Sequence, residues 1–117
     1  MDAASARILI VEDEAIIAMM LADMLTDAGY QIAEADGPAA ALAMVEHSGL
    51  PDLIISDQSM PGMTGTEMIT ALIAKFGQVP VLVTSGYALG SDFPHPTLQK
   101  PFVEADLLAK VRELIEG

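Results

Sequence analysis

Four places in this chain hold side chains able to do chemistry together, and each follows a short strand-like run. Leu53-Ile54-Ile55-Ser56 leads into Asp57, and Arg7-Ile8-Leu9-Ile10-Val11 into Glu12-Asp13. Pro80-Val81-Leu82-Val83-Thr84 ends at Ser85-Gly86, and Thr97-Leu98-Gln99 at Lys100-Pro101. The set is three carboxylates, a hydroxyl and an amine. Two like charges about 4 Å apart repel by roughly 4 kcal/mol at an effective dielectric near 20, so clustered carboxylates need a proton or a cation between them. Carboxylates, a backbone carbonyl and water suit Mg²⁺, which commonly binds where a phosphoryl group also binds. A carboxylate nucleophile beside such a cation, with ammonium and hydroxyl donors for phosphoryl oxygens, is the layout for an aspartyl phosphate.

Each residue also has a plainer reading. Asp57 is placed to cap a turn after a strand. Glu12 and Asp13 are placed to cap a helix N-terminus. Ser85 reads equally as a turn hydroxyl, and Lys100 as a surface ammonium. The chemical reading depends on the fold bringing all of them to one edge.

The elements that would do so alternate regularly. The first strand, Arg7–Val11, is aliphatic throughout, as buried parallel strands are. A helix follows with apolar residues at Ile17, Met20, Leu21, Met24, Leu25 and Ala28, stopped by Gly29. Tyr30 to Ala35 is a shorter, more polar strand suited to an edge. Pro38 opens the next helix, which runs to Ser48-Gly49. After the third strand, Leu53 to Ser56, Thr64-Gly65-Thr66-Glu67 forms a capping box for a helix carrying Met68, Ile69, Leu72, Ile73 and Phe76. The fourth and fifth strands follow, then a last helix from about Val103 with Leu107, Leu108, Val111, Leu114 and Ile115 on one face. Strands this apolar need helices on both faces. The expected fold is an α/β three-layer doubly wound sandwich, with a five-stranded parallel sheet in the flavodoxin-like order 2-1-3-4-5. In that order strands one and three adjoin, so Glu12, Asp13 and Asp57 share the carboxyl edge where open α/β sheets bind ligands.

Composition narrows the function. A chain of 117 residues makes one domain. Its net charge is −12 with five basic residues, Arg7, Lys75, Lys100, Lys110 and Arg112, which argues against direct nucleic-acid binding. Cysteine is absent, excluding disulfides and thiol chemistry. No apolar segment is long enough for a membrane span and no secretion signal is evident, so a cytoplasmic protein is expected. His47 and His95 read as surface residues, the eight methionines as packing, and no Gly-rich nucleotide loop is present.

At these motifs the chain resembles a receiver domain of two-component response regulators over its whole length. The residues are Ile10-Val11-Glu12-Asp13, Asp57 with Met60-Pro61-Gly62-Met63-Thr64-Gly65, Ser85-Gly86, and Lys100-Pro101-Phe102. The resemblance implies that Asp57 is the phosphoacceptor. It implies that Glu12, Asp13, Asp57 and the Ser59 backbone carbonyl hold Mg²⁺, that Ser85 is the switch hydroxyl, and that Lys100 pairs with the phosphoryl group. It also implies a cis Lys100-Pro101 peptide. Two features depart from the common pattern. Ser85 to Lys100 leaves room only for a short or absent fourth helix, and the fifth strand lacks the usual aromatic switch residue, for which Tyr87 is the nearest substitute. Ser85-Gly86-Tyr87 is similar to a subgroup of stand-alone receivers with a Thr-Gly-Tyr signature.

The implied function is a phosphorylation-controlled binding module spanning residues 1–117, without an output domain and not an enzyme in the ordinary sense. A sensor histidine kinase or phosphotransfer protein would supply phosphate in a phosphorelay, and a downstream protein would read the result. Two other classes compete. A haloacid dehalogenase-like hydrolase also uses an Asp nucleophile, but places it after the first strand in an Asp-x-Asp pattern where this chain has Glu12-Asp13-Glu14. A phosphate-independent scaffold would have no need of all three carboxylates and Lys100.

Overall fold

The structure is a computed structural model that describes residues 6–116. The ends of the single domain assigned from sequence, residues 1–5 and 117, lie outside the described residues. The element order is β1 (Arg7–Val11), α1 (Ala15–Asp27), β2 (Gln31–Ala35), α2 (Pro38–Ser48), β3 (Leu53–Asp57), α3 (Gly65–Phe76), β4 (Val81–Ser85), β5 (Thr97–Gln99) and α4 (Glu104–Glu116). All strand pairs are parallel, in the order β2-β1-β3-β4-β5. This is the expected three-layer sandwich. Among the described residues, no helix is long and apolar enough to cross a membrane.

Strand alternation divides the core in two. Leu9, Val11, Ile54, Val81 and Val83 pack under α2 and α3 against Ala41, Val45, Met68, Ile69 and Leu72. Ile8, Ile10, Leu53, Ile55 and Leu82 pack on the opposite face against Leu21 and Leu25 of α1 and Leu107 and Val111 of α4. Both faces of β1, β3 and β4 are therefore covered, which is why those strands are aliphatic without alternation. β2, with Gln31 and Glu34 exposed, is an edge as its polarity indicated.

Local chemistry sets the ends. Gly29 has φ of +102° and donates its N–H to the Thr26 carbonyl, closing α1 in a conformation that favours glycine. Pro38 occupies the first turn of α2. Thr64 and Glu67 form both bonds of the capping box. Five boundaries differ by one residue from the sequence reading. The Tyr30 N–H bonds back to Leu25, so β2 begins at Gln31. Asp57 continues β3, paired with Thr84. Pro80 has no N–H for the ladder, so β4 begins at Val81 and extends through Ser85, whose carbonyl accepts the Lys100 N–H at 2.7 Å. The Val103 carbonyl accepts the Asp106 and Leu107 N–H groups, so α4 begins just after it.

Residues 86–96 form no helix. The Phe93 N–H closes a turn onto Gly90 at 2.9 Å, and Leu89 and Phe93 pack onto the core beside α2 and α3. Gly86, Gly90, Pro94 and Pro96 leave no stretch that holds helical hydrogen bonds. Two sequence readings need correction. His95 is partly buried, set edge-on against Phe93 with ring centroids 6.0 Å apart, and burial pushes its imidazole pKa down. Among the described methionines Met68 is fully buried, but Met19 and Met20 are exposed on α1, because they fall outside its buried stripe of Ala18, Leu21 and Leu25.

Candidate functional site

Strand register carries the site residues to one place. Glu12 continues the face of Ile8 and Ile10, and Asp57 that of Leu53 and Ile55. Both acids therefore rise on the α1/α4 side at the carboxyl ends of adjoining strands. Carboxylate oxygens of Glu12, Asp13 and Asp57 lie within 4.8 Å of one another. Glu12 and Asp57 are buried, and Asp13 is exposed.

Lys100 enters from the end of β5. Its Nζ donates to Glu12 Oε1 at 3.1 Å and sits 3.5 Å from Asp57 Oδ2. The ammonium is thus shared, and Glu12 has the shorter contact. Burial pushes the Glu12 pKa up and the nearby Asp57 charge adds to this; the Glu14 N–H and Lys100 act against it. For Lys100, burial disfavours the charge, but Glu12 and Asp57 together outweigh it and hold the ammonium above its ordinary range. The Lys100-Pro101 peptide is cis, as expected.

The loop after β3 is pinned at several points. The Ser59 N–H donates to Asp57 Oδ1 at 3.4 Å. The Gln58 N–H reaches the Thr84 carbonyl and its carbonyl accepts the Gly65 N–H, while its Oε1 accepts both the N–H and the hydroxyl of Thr66. Gly65 lies so close that a Cβ there would run into the Asp57 carbonyl oxygen and stand 2.9 Å from Ser56 Oγ. Only glycine lets α3 start this near the strand that carries Asp57.

Ser85 is at the expected strand end, buried as the last residue of β4. Its hydroxyl donates to the Tyr87 carbonyl at 2.7 Å and accepts the Tyr87 N–H at 3.1 Å, so it is engaged by the loop. Tyr87 is exposed. The structure therefore brings Glu12, Asp13, Asp57 and Lys100 together, with Ser59 beside them, and leaves Ser85 and Tyr87 bonded to each other. Gln58 and Thr84 were not singled out from sequence, and Gly65 was named only within the Met60–Gly65 motif and the capping box, without a role of its own. A glycine directly after the Thr64 cap, in a position that favours helix formers, was a usable signal for Gly65; for Gln58 there was none.

The arrangement can hold a cation among oxygen ligands and neutralise a charged group at Asp57 from the Lys100 side. The "Response regulator receiver domain" family model matches residues 8–112. The transcriptional regulatory protein PrrA of Mycobacterium tuberculosis is 35% identical over 95% of this chain, which spans 50% of that protein. The chain thus spans about half the length of the first curated relatives it matches. The chemotaxis protein CheY of Pseudomonas aeruginosa is 32% identical, with 94% of this chain and 96% of that one aligned. Among solved structures, the receiver domain of the hybrid histidine kinase CckA is 34% identical with a TM-score of 0.82, covering 93% of this chain and 98% of that one. The family match over most of the chain, the relatives above 30% identity and the shared fold agree, and the chain belongs to the response regulator receiver domains of two-component systems.

Proposed function

We propose that this receiver accepts a phosphoryl group on Asp57 from a phosphohistidine and uses the modified state to bind another protein. The observation that carries the proposal is the shared Lys100 ammonium, 3.1 Å from Glu12 and 3.5 Å from Asp57, beside a third carboxylate on Asp13. An Asp57 oxygen attacks phosphorus, the phosphorus–nitrogen bond breaks, and the imidazole leaves as it takes up a proton; the product is an acyl phosphate. Lys100 then neutralises phosphoryl oxygens. Three carboxylates meeting within 4.8 Å fit a hard divalent cation. Glu12, Asp13, Asp57 and the Ser59 carbonyl would hold Mg²⁺. When bound, it offsets the negative charge of phosphoryl group and carboxylates together. Attack of water on the acyl phosphate returns Asp57 to its free form, so the signal decays without a separate phosphatase.

The donor is a sensor histidine kinase or phosphotransfer protein, acting in the cytoplasm. It docks over α1, where Ile16, Met19 and Met20 are solvent-exposed on the helix next to the acidic edge, with exposed Val103 nearby in the chain to Lys100. The reader of the signal binds the face formed by residues 86–96. Ser85 must release Tyr87 to donate to a phosphoryl oxygen, and that release reshapes the loop. Incubation with Mg²⁺ and acetyl phosphate tests the reaction. Intact mass is expected to rise by one phosphoryl group in wild type and not in Asp57→Asn. Equal uptake by Asp57→Asn, or none by wild type, contradicts the proposal.

A further inference from the structure

A buried hydroxyl lies on the strand next to Asp57. Thr84 is 1% exposed, and its Oγ1 is the buried side-chain polar atom without a hydrogen-bond partner among the described residues. Such groups in native proteins are rare enough to need a reason. Its place in the sheet supplies one. Thr84 is in register with Asp57 on one side and Leu98 on the other. It continues the face of Leu82, the α1/α4 side on which Glu12, Asp57 and the Lys100 head group meet.

We propose that Thr84 is a positioning residue of the phosphoacceptor site, whose hydroxyl receives the Lys100 ammonium when Lys100 releases Glu12. The inference rests on the phosphoacceptor reading above. Lys100 has three N–H donors and uses them on Glu12 and Asp57. Glu12 cannot serve a divalent cation fully while it holds the ammonium, and like charges repel, so Lys100 gives up this contact when the carboxylate turns to metal. The Lys100 backbone stays fixed by its 2.7 Å bond to the Ser85 carbonyl, so only the side chain swings. A threonine hydroxyl has one donor and two acceptor sites. Thr84 can therefore accept from the ammonium and donate to an Asp57-bound oxygen at once, holding the two in one geometry. An aliphatic residue in this strand would pack as well and could do neither.

The test is a double-mutant cycle of Thr84→Val and Lys100→Ala, with Thr84→Ser as the conservative control. Uptake of phosphate from acetyl phosphate by wild type is measured first, and its absence counts against the phosphoacceptor reading rather than against Thr84. Thr84→Val is expected to phosphorylate about tenfold more slowly, the size of one hydrogen bond to a charged group. Thr84→Ser should stay within about twofold of wild type, and Thr84→Val should cost clearly less in the Lys100→Ala background than in wild type. A second readout needs no phosphoryl donor: on titration with Mg²⁺, nitrogen-15 NMR should show slowed solvent exchange of the Lys100 ammonium protons in wild type and Thr84→Ser, but not in Thr84→Val. Should Thr84→Val not fold, Thr84→Ala carries the same comparison. An unchanged rate and unchanged ammonium exchange in Thr84→Val, or an equal loss with and without the Lys100 amine, overturns the proposal.

Discussion

Replacing Lys100 with Met tests whether the ammonium is the internal counter-charge of the acidic edge. The side chain keeps its length and loses only the charge. In the metal-free protein the ammonium faces Glu12 at 3.1 Å and Asp57 at 3.5 Å. Each pair is worth about 5 kcal/mol of attraction at an effective dielectric of ~20. Most of that is offset by the desolvation of the three groups, and removing one partner of a buried pair typically costs about 3–5 kcal/mol. The lower end applies here, because the Lys100 side chain is 19% exposed and Glu12 can take up a proton. A loss of about 3 kcal/mol lowers Tm by about 12 °C for a domain of this size. The pH dependence follows from Glu12. Burial already raises its folded pKa above 4.5, and Lys100 holds it down. The folded state thus binds this proton more tightly than the unfolded one, and stability falls as pH rises from about 4.5 through the folded value. Without Lys100 the folded value climbs further. The gap between Lys100→Met and wild type should therefore be small near pH 4 and widen towards pH 7. Mg²⁺ should narrow it again, and should stabilise the mutant more than wild type because no ammonium competes for Glu12. Thermal melts at several pH values, with and without Mg²⁺, give all of these numbers. A mutant that melts with wild type at pH 7 and gains no more from Mg²⁺ would show that Lys100 does not neutralise the cluster.

Three further outcomes are expected. Asp13→Asn exchanges a carboxylate for a neutral amide at the exposed corner of the cluster, and should weaken Mg²⁺ binding at least tenfold with little change in metal-free Tm; an unchanged Mg²⁺ titration would remove Asp13 from the ligand set. Gly65→Ala puts a methyl group against the Asp57 carbonyl and Ser56 Oγ, so it should cost about 1–3 kcal/mol in denaturant unfolding and slow phosphorylation as well. Amide exchange in residues 86–96 should change when Mg²⁺ and a beryllofluoride phosphate mimic are added, with the Tyr87 amide, now bonded to Ser85 Oγ, responding first; no change there would place the output surface elsewhere.

The parts legible from sequence were those governed by single-chain patterns. Ile8–Val11, Leu53–Ile55 and Val81–Val83 are buried on both faces, so their aliphatic runs marked the strands directly. Gly29, Pro38 and the Thr64–Glu67 box marked helix ends through backbone chemistry that depends on neighbours only. The strand order then brought Glu12, Asp13, Asp57 and Lys100 to one edge. What could not be read depends on contacts between elements. Lys100 divides itself between Glu12 and Asp57 because β1 and β3 adjoin, and no spacing reveals which acid is closer. The Ser85 hydroxyl is taken up by the Tyr87 backbone because the chain turns back over it directly after β4, a contact that spacing does not show. Met19 and Met20 looked like packing residues, but the buried stripe of α1 runs through Ala18, Leu21 and Leu25, and a one-residue offset in a helix turns a side chain by 100°.

The central claim is that Asp57 itself carries the phosphoryl group. Treating the protein with acetyl phosphate and Mg²⁺, reducing the acyl phosphate with borohydride and mapping the peptides tests it directly. Reduction should convert Asp57 alone to homoserine, leaving Glu12 and Asp13 as carboxylates. Reduction of Glu12 or Asp13 in place of Asp57, or an intact phosphoryl group mapped to Ser85, would contradict the account.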